Sequence, residues 1–157
     1  MVTQASDTAV IELNDGETEA LEDGLKFHGI AAAHNDLQTD EGGNHHFMGF
    51  VVEWGDYVLY HSGDCLPWKG LEQRLKFFSI DLAFLPINGN KPERRVAGNF
   101  NGQEAVELAK ATGIQNVIPC HYDMFEFNTV TPDEFVEHAE THQIGYRVMQ
   151  NGEGWTL

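Results

Sequence analysis

At 157 residues, 41% of them hydrophobic and 11% aromatic, the chain has enough apolar side chain for one domain with a real core, which argues against wholesale disorder. Twenty-five acidic against nine basic residues give a formal charge of −16, which repels phosphate backbones and anionic lipid, so nucleic acid and membrane surfaces are not expected partners. With two cysteines, no apolar run near the ~20 residues that cross a bilayer and no leader pattern at the start, the expectation is a cytoplasmic protein without a disulfide framework.

Seven carboxylates, Asp7, Glu12, Asp15, Glu17, Glu19, Glu22 and Asp23, crowd the first two dozen residues and read as a solvated face. Residues 8–13 predict a first strand closed by Asn14-Asp15-Gly16, and 25–33 a second that stops at His34. An acidic, glycine-containing loop over 35–46 follows. Its adjacent His45 and His46 would point to opposite faces of a strand and read as surface histidines. Residues 47–54 and 56–62, rich in Val, Tyr and Phe, predict two strands joined across Gly55-Asp56, a favourable pair for a tight hairpin that delivers Ser62-Gly63-Asp64 into a loop. The nearly continuous apolar run 80–87 has the pattern of a strand covered on both faces.

Asn101 with Glu104 has capping-box spacing, and Ala105, Val106, Leu108, Ala109 and Ala111 line the helix that Gly113 ends. A short buried strand is predicted over 115–120. Thr131-Pro132-Asp133-Glu134 repeats the helix-start signal, with Thr131 as cap, ahead of Phe135, Val136 and Ala139. His138 and His142 lie four apart on that helix among Glu137 and Glu140, the mark of a solvated face. Residues 146–150 and 155–157, around Asn151-Gly152, predict a closing hairpin. Strands alone, then strands alternating with helices, give a single mixed α/β (α+β) domain over 1–157 with helices on one face and no internal repeat.

His34, Asp64 and His121 each stand where an apolar run, 30–33, 57–61 or 117–120, stops. On neighbouring strands the three would meet at one rim of a sheet, and imidazole, carboxylate and imidazole are ligands for a divalent metal such as zinc or manganese. Gly63 gives the carboxylate room to approach a cation, and the Ser62 hydroxyl is placed to orient it. An Asp after Gly is also ordinary turn chemistry, and His121 reads equally as a ligand or as a rim histidine. Cys65 and Cys120 adjoin two of the three, either as small buried thiols beneath the site or as ligands or a redox pair. The loop 88–95 holds three of the nine basic residues, Lys91, Arg94 and Arg95. Beside a metal rim it would suit a small anionic substrate; the alternative is that Arg94 and Arg95 pair with the chain's abundant carboxylates.

The order His34, then Tyr-His-Ser-Gly-Asp64, then Leu-Pro-Ile-Asn-Gly-Asn, then Val-Ile-Pro-Cys-His121-Tyr-Asp resembles the metallo-β-lactamase superfamily, and more narrowly its ascorbate-6-phosphate lactonase-like branch, from about residue 8 onward. The resemblance implies a four-layer αβ/βα sandwich of which this chain would be the C-terminal half, because the H-x-H-x-D-H motif of the N-terminal half is absent. It also implies metal-ligand roles for His34 and His121, a metal-bridging and catalytic role for Asp64, and hydrolysis of a lactone, ester, amide or phosphoester bond by a metal-bound hydroxide. Candidate substrate contacts are Arg94, Arg95 and Tyr122. Three ligands alone lead us to expect weak metal affinity, and an apolar sheet face without its symmetry partner leads us to expect a homodimer or higher homo-oligomer. Two other readings remain: a non-catalytic partial domain that self-associates or complements a partner chain, and a small-molecule binder that uses the basic loop without metal.

Overall fold

The computed structural model describes residues 10–157. One seven-stranded sheet runs in sequential order through β1 (Thr18–Ala20), β2 (Lys26–Ala31), β3 (Met48–Trp54), β4 (Tyr57–His61), β5 (Leu82–Pro86), β6 (Asn116–Cys120) and β7 (Gly145–Tyr146). The first four strands are antiparallel neighbours and the last four are parallel ones. Antiparallel strands need only a turn between them, and Trp54 pairs with Tyr57 across the two-residue Gly55-Asp56 turn, where Gly55 takes φ +60°. Parallel strands need a crossover, and each crossover holds a helix: α1 (Leu71–Leu75), α2 (Gly102–Thr112) and α3 (Asp133–His142).

Side chains alternate across the sheet, so paired residues form rows on each face. The row Val51, Tyr60, Ala83 and Val117 is fully buried, in one core with Leu71 and Leu75 of α1, Val106 of α2 and Phe135 of α3. The helices therefore cover one face, as the sequence predicts. Rows on the other face carry Phe27, Phe50, Val52, Leu59 and Phe84, which are only half-buried. This direction pattern positions the site. β2, β4, β5 and β6 all run the same way, so their C-terminal ends share one rim.

Three expectations are corrected. Residues 10–13 form no strand, while Thr8 and Ala9 of the expected 8–13 strand lie outside the described residues; the first strand is β1, after the 14–16 turn. Asn14 makes its bonds to the Glu17 carboxylate, the Gly43 carbonyl and His45 rather than to a ladder, which turns the chain there. In the tail the Asn151-Gly152 turn forms, but β7 is a two-residue strand parallel to β6 and residues 155–157 pair with nothing in the sheet. Glu153 closes that turn onto the Gln150 amide at 3.0 Å and onto Arg147, which takes the place of strand pairing. The third concerns α3: Thr131 donates to Asp133 at 2.7 Å instead of accepting from the helix, and Glu134 accepts from the Gly102 amide of α2 at 3.0 Å. The capping box of α2 forms as expected, with Asn101 and Glu104 exchanging bonds of 2.8 and 2.9 Å and Gly113 closing the helix at φ +79°. Among the described residues no helix is long and apolar enough to cross a membrane.

Candidate metal centre

β2 ends in a run of small buried residues, Ala31, Ala32 and Ala33, which lets His34 turn out at the rim close against the sheet. Two contacts fix its ring. Nδ1 lies 3.2 Å from the Gly98 carbonyl oxygen, and Phe47 stands edge-on with ring centroids 5.3 Å apart. A carbonyl can only accept, so Nδ1 carries the hydrogen and Nε2 of the neutral ring presents a lone pair. This is the orienting bond that metal-ligating histidines generally make.

After β4 the chain must turn sharply to bring Asp64 to the same rim. Gly63 does so at φ +62°, where a Cβ would come within 2.5 Å of the Met48 carbonyl oxygen, so no other residue fits without displacement. Ser62 is buried and its hydroxyl donates to the Gly63 carbonyl at 2.6 Å. It therefore braces the turn and does not touch the carboxylate, which corrects the role expected of it. After β6, His121 adopts φ +59° and Asp123 φ +51°, a left-handed backbone that non-glycine residues seldom take and that recurs at functional sites.

These three turns bring the predicted residues together. Nε2 of His34 and Nε2 of His121 each stand 3.9 Å from the same carboxylate oxygen, Oδ2 of Asp64. Two ligands at ~2.1 Å from one ion can be at most ~4.2 Å apart, so each imidazole shares space with that oxygen around a possible ion position. Among the described residues no set of three or more His, Cys, Asp or Glu side chains is already drawn into ion-holding geometry, so the corner is a wide one. Both imidazoles are largely withdrawn from solvent, whereas the Asp64 side chain is 45% exposed. Nδ1 of His121 is buried without a hydrogen-bond partner, an unusual state for a polar atom and one that fits a ring whose position is set by something other than its own bonds. The donor set, two nitrogens and a carboxylate oxygen, is of the kind zinc and other divalent transition metals accept.

The remaining candidates separate. Arg94, expected at the substrate, has its guanidinium occupied by the Asn88 carbonyl at 2.5 Å, Asn128 Oδ1 at 3.2 Å and the Thr129 carbonyl at 2.9 Å. All three acceptors are carbonyl or amide oxygens rather than carboxylates, because its loop folds back onto the segment after β6. Arg95 is exposed at φ +54°. The Tyr122 hydroxyl donates to the Met149 carbonyl at 2.7 Å, and burial, with Cys120 and two carboxylates nearby, raises its pKa. Tyr122 and His121 line an open recess of about 470 Å³ with Cys120, Met124 and Met149.

Cys65 and Cys120 are free thiols bonded to backbone groups, Cys65 to the Ala33 amide at 3.4 Å and Cys120 to the Ile118 carbonyl at 3.6 Å. Burial pushes both up to about 11, which favours the protonated thiol. His45 bonds Asn14 and His142 accepts from Lys110, both away from the rim. Sequence reasoning met Asn88 only within the Leu-Pro-Ile-Asn-Gly-Asn string and gave no role to Gly98, Asn99 or Asn128. A carbonyl that orients a ring leaves no mark on residue type, and the only signal was the density of asparagines at 88, 90, 99 and 101.

Comparison with known proteins gives a consistent result. A family model described as a β-lactamase superfamily domain matches residues 2–122. A UPF0173 metal-dependent hydrolase from Rubrobacter xylanophilus is 35% identical over 148 residues, covering 90% of this chain and 58% of the relative. Among solved structures, Igni18, a metallo hydrolase of Ignicoccus hospitalis, superposes with TM-score 0.72 at 24% identity over 91% of this chain and 58% of its own. An isothiocyanate hydrolase from Delia radicum gut bacteria gives 0.70 at 16% identity over 89% of this chain and 57% of its own. The chain thus spans a little under three fifths of the curated relative, and the structural likenesses speak for the fold.

Proposed function

Since the chain belongs to the β-lactamase superfamily, we propose that the His34, Asp64 and His121 corner is the metal-holding edge of a metal-dependent hydrolase. The observation that carries this is the convergence of two imidazole nitrogens on one carboxylate oxygen at 3.9 Å from three distant points of the chain. A divalent ion, zinc or manganese, would supply Lewis acidity, which lowers the pKa of a water molecule to about 7. The chain's own residues do the rest. His34 is held by Gly98 with Nε2 toward Asp64, His121 is held by its left-handed backbone, and the exposed Asp64 carboxylate offers charge to the ion and an acceptor to the attacking water.

The substrate we infer is a small molecule with a lactone, ester or phosphoester bond, seated in the recess beside His121, with the exposed Arg95 as the contact for an anionic group. The narrower likeness to ascorbate-6-phosphate lactonases supports an anionic lactone within that class. The test is a panel of aryl esters, lactones and phosphodiesters offered to the zinc- and the manganese-loaded chain. Turnover that EDTA removes, that metal restores and that His34→Ala and His121→Ala both abolish is expected. Turnover that survives either substitution would overturn the assignment.

Two observations favour a second reading. Three donors hold an ion less firmly than the four of a closed zinc site, and the sheet face bearing Phe27, Phe50, Val52, Leu59 and Phe84 is only half-covered. Both are accounted for if this chain is a C-terminal half that self-associates, or pairs with a partner chain, through that face. Sedimentation as a homodimer or larger is expected, and a clean 17.6 kDa monomer would exclude self-association.

A further inference from the structure

The loop between β5 and α2 touches one histidine of the corner, His34, and the segment that follows the other, without contributing a donor to the corner. Its Gly98 carbonyl takes the Nδ1 hydrogen of His34, and its Gly98 amide donates to Asn35 Oδ1 at 2.9 Å, so both sides of that residue anchor the turn after β2. Asn99, next along, donates to Asn88 Oδ1 at 2.9 Å, and Asn88 donates to Asn128 Oδ1 at 3.1 Å. Asn128 and Thr129 close the segment that begins at His121. All three asparagines are buried, with exposures of 0% for Asn88, 1% for Asn99 and 7% for Asn128. Such a chain of buried amides is expensive to disrupt, since each group left without its partner keeps its desolvation cost.

We propose that Arg94 is the positioning residue of the metal corner: its guanidinium locks the β5–α2 loop to the loop carrying His121 and so sets the spacing of the two imidazoles across Asp64. This rests on the metal reading given above. The geometry is specific to a guanidinium. One nitrogen reaches both the Asn88 carbonyl and Asn128 Oδ1, and the other reaches the Thr129 carbonyl, so the planar fork joins three acceptors on two loops. A lysine ammonium in the same place is a single point and cannot span them. The local backbone agrees with this arrangement. A Cβ at Gly98 would come within 2.4 Å of the Asn90 side chain, so the loop is folded tightly enough to transmit a displacement of Arg94 to the His34 carbonyl partner.

The experiment uses the whole chain with Co²⁺ as probe, comparing wild type with Arg94→Ala, Arg94→Lys and the exposed charge control Lys91→Gln. Three quantities are read: Co²⁺ affinity by competition with a chelator, the Co²⁺ absorption envelope, and the imidazole NMR resonances of positions 34 and 121 in the metal-free protein. Substitutions that disturb the groups orienting a ligand generally lower metal affinity about 10–100-fold. Both Arg94 variants are expected to show that loss, an altered absorption envelope and displaced resonances for both rings, with Lys91→Gln like wild type. Arg94→Lys keeps the charge and remains informative if Arg94→Ala does not fold. A folded Arg94→Lys with wild-type affinity and unmoved ring resonances overturns the proposal. A wild-type chain that binds no Co²⁺ defeats the metal reading instead, and the ring resonances then decide the positioning role alone.

Discussion

The helix-covered face and the C-terminal rim of the same sheet are built on opposite rules. Beneath the helices, Val51, Tyr60, Ala83, Val117, Val106 and Phe135 pack as an ordinary core, and α2 carries both halves of a capping box. At the rim the backbone is left-handed at Gly63, His121 and Asp123, and buried asparagines replace aliphatic side chains. The core gains stability from apolar area removed from water, whereas the rim holds polar groups in fixed places at some cost to stability. Substitutions should therefore separate the two, with stability lost on one side and ion binding on the other.

The largest expected effect belongs to the core. Phe135 is fully buried and stands edge-on to Tyr146 with ring centroids 5.9 Å apart, so Phe135→Ala should destabilise the chain by about 3–5 kcal/mol in urea unfolding. A loss under ~1 kcal/mol would mean that α3 is not held by its apolar face. Asp64→Asn should do the reverse. The carboxylate is 45% exposed and, among the described residues, forms ion pairs with the two imidazoles alone, so stability should stay within about 0.5 kcal/mol of wild type. Divalent-ion affinity in a calorimetric titration should nonetheless fall at least ~10-fold, because a neutral amide replaces the only charged donor of the corner. Equal affinity in the two proteins would move the ion elsewhere.

The division also explains what the sequence disclosed. The four central strands, the hairpin at Gly55-Asp56 and the α2 cap are local patterns of apolar period and turn residue, and they formed where the residues indicated. The meeting of His34, Asp64 and His121 was legible because each follows an apolar run, and strands running the same way end together. The internal bonding of the basic loop was not legible. Whether Arg94 faces solvent or three acceptors depends on the fold of residues 34 positions away, which no local pattern reports. The tail failed for a similar reason, since an ion pair between Arg147 and Glu153 competes with strand pairing. Thr131 failed because its hydroxyl found Asp133 first.

A smaller test concerns the helical layer alone. Asn101→Ala removes the bond to the Glu104 amide and leaves Gly102 still capped by Glu134, so a loss of about 1 kcal/mol in urea unfolding is expected, with ion affinity unchanged. A loss of ion affinity would show that α2 starts too close to the Asn99 end of the rim network for the two regions to be independent.

The smallest perturbation probes the boundary between them. Cys65 and Cys120 sit one residue from Asp64 and His121, and burial pushes both thiols up to about 11 from an ordinary 9.0. Only the thiolate attacks a disulfide reagent, and two pKa units make it about 100-fold scarcer at pH 8. Labelling by an aromatic disulfide at pH 8 should thus be at least ~100-fold slower in the folded chain than in urea, with Cys65, which has no exposure, the slower of the two. Fast labelling of Cys120 alone would place a thiolate at the rim beside His121. The corner would then hold a fourth donor, and the line between packed core and polar rim would run beneath Cys120 rather than above it.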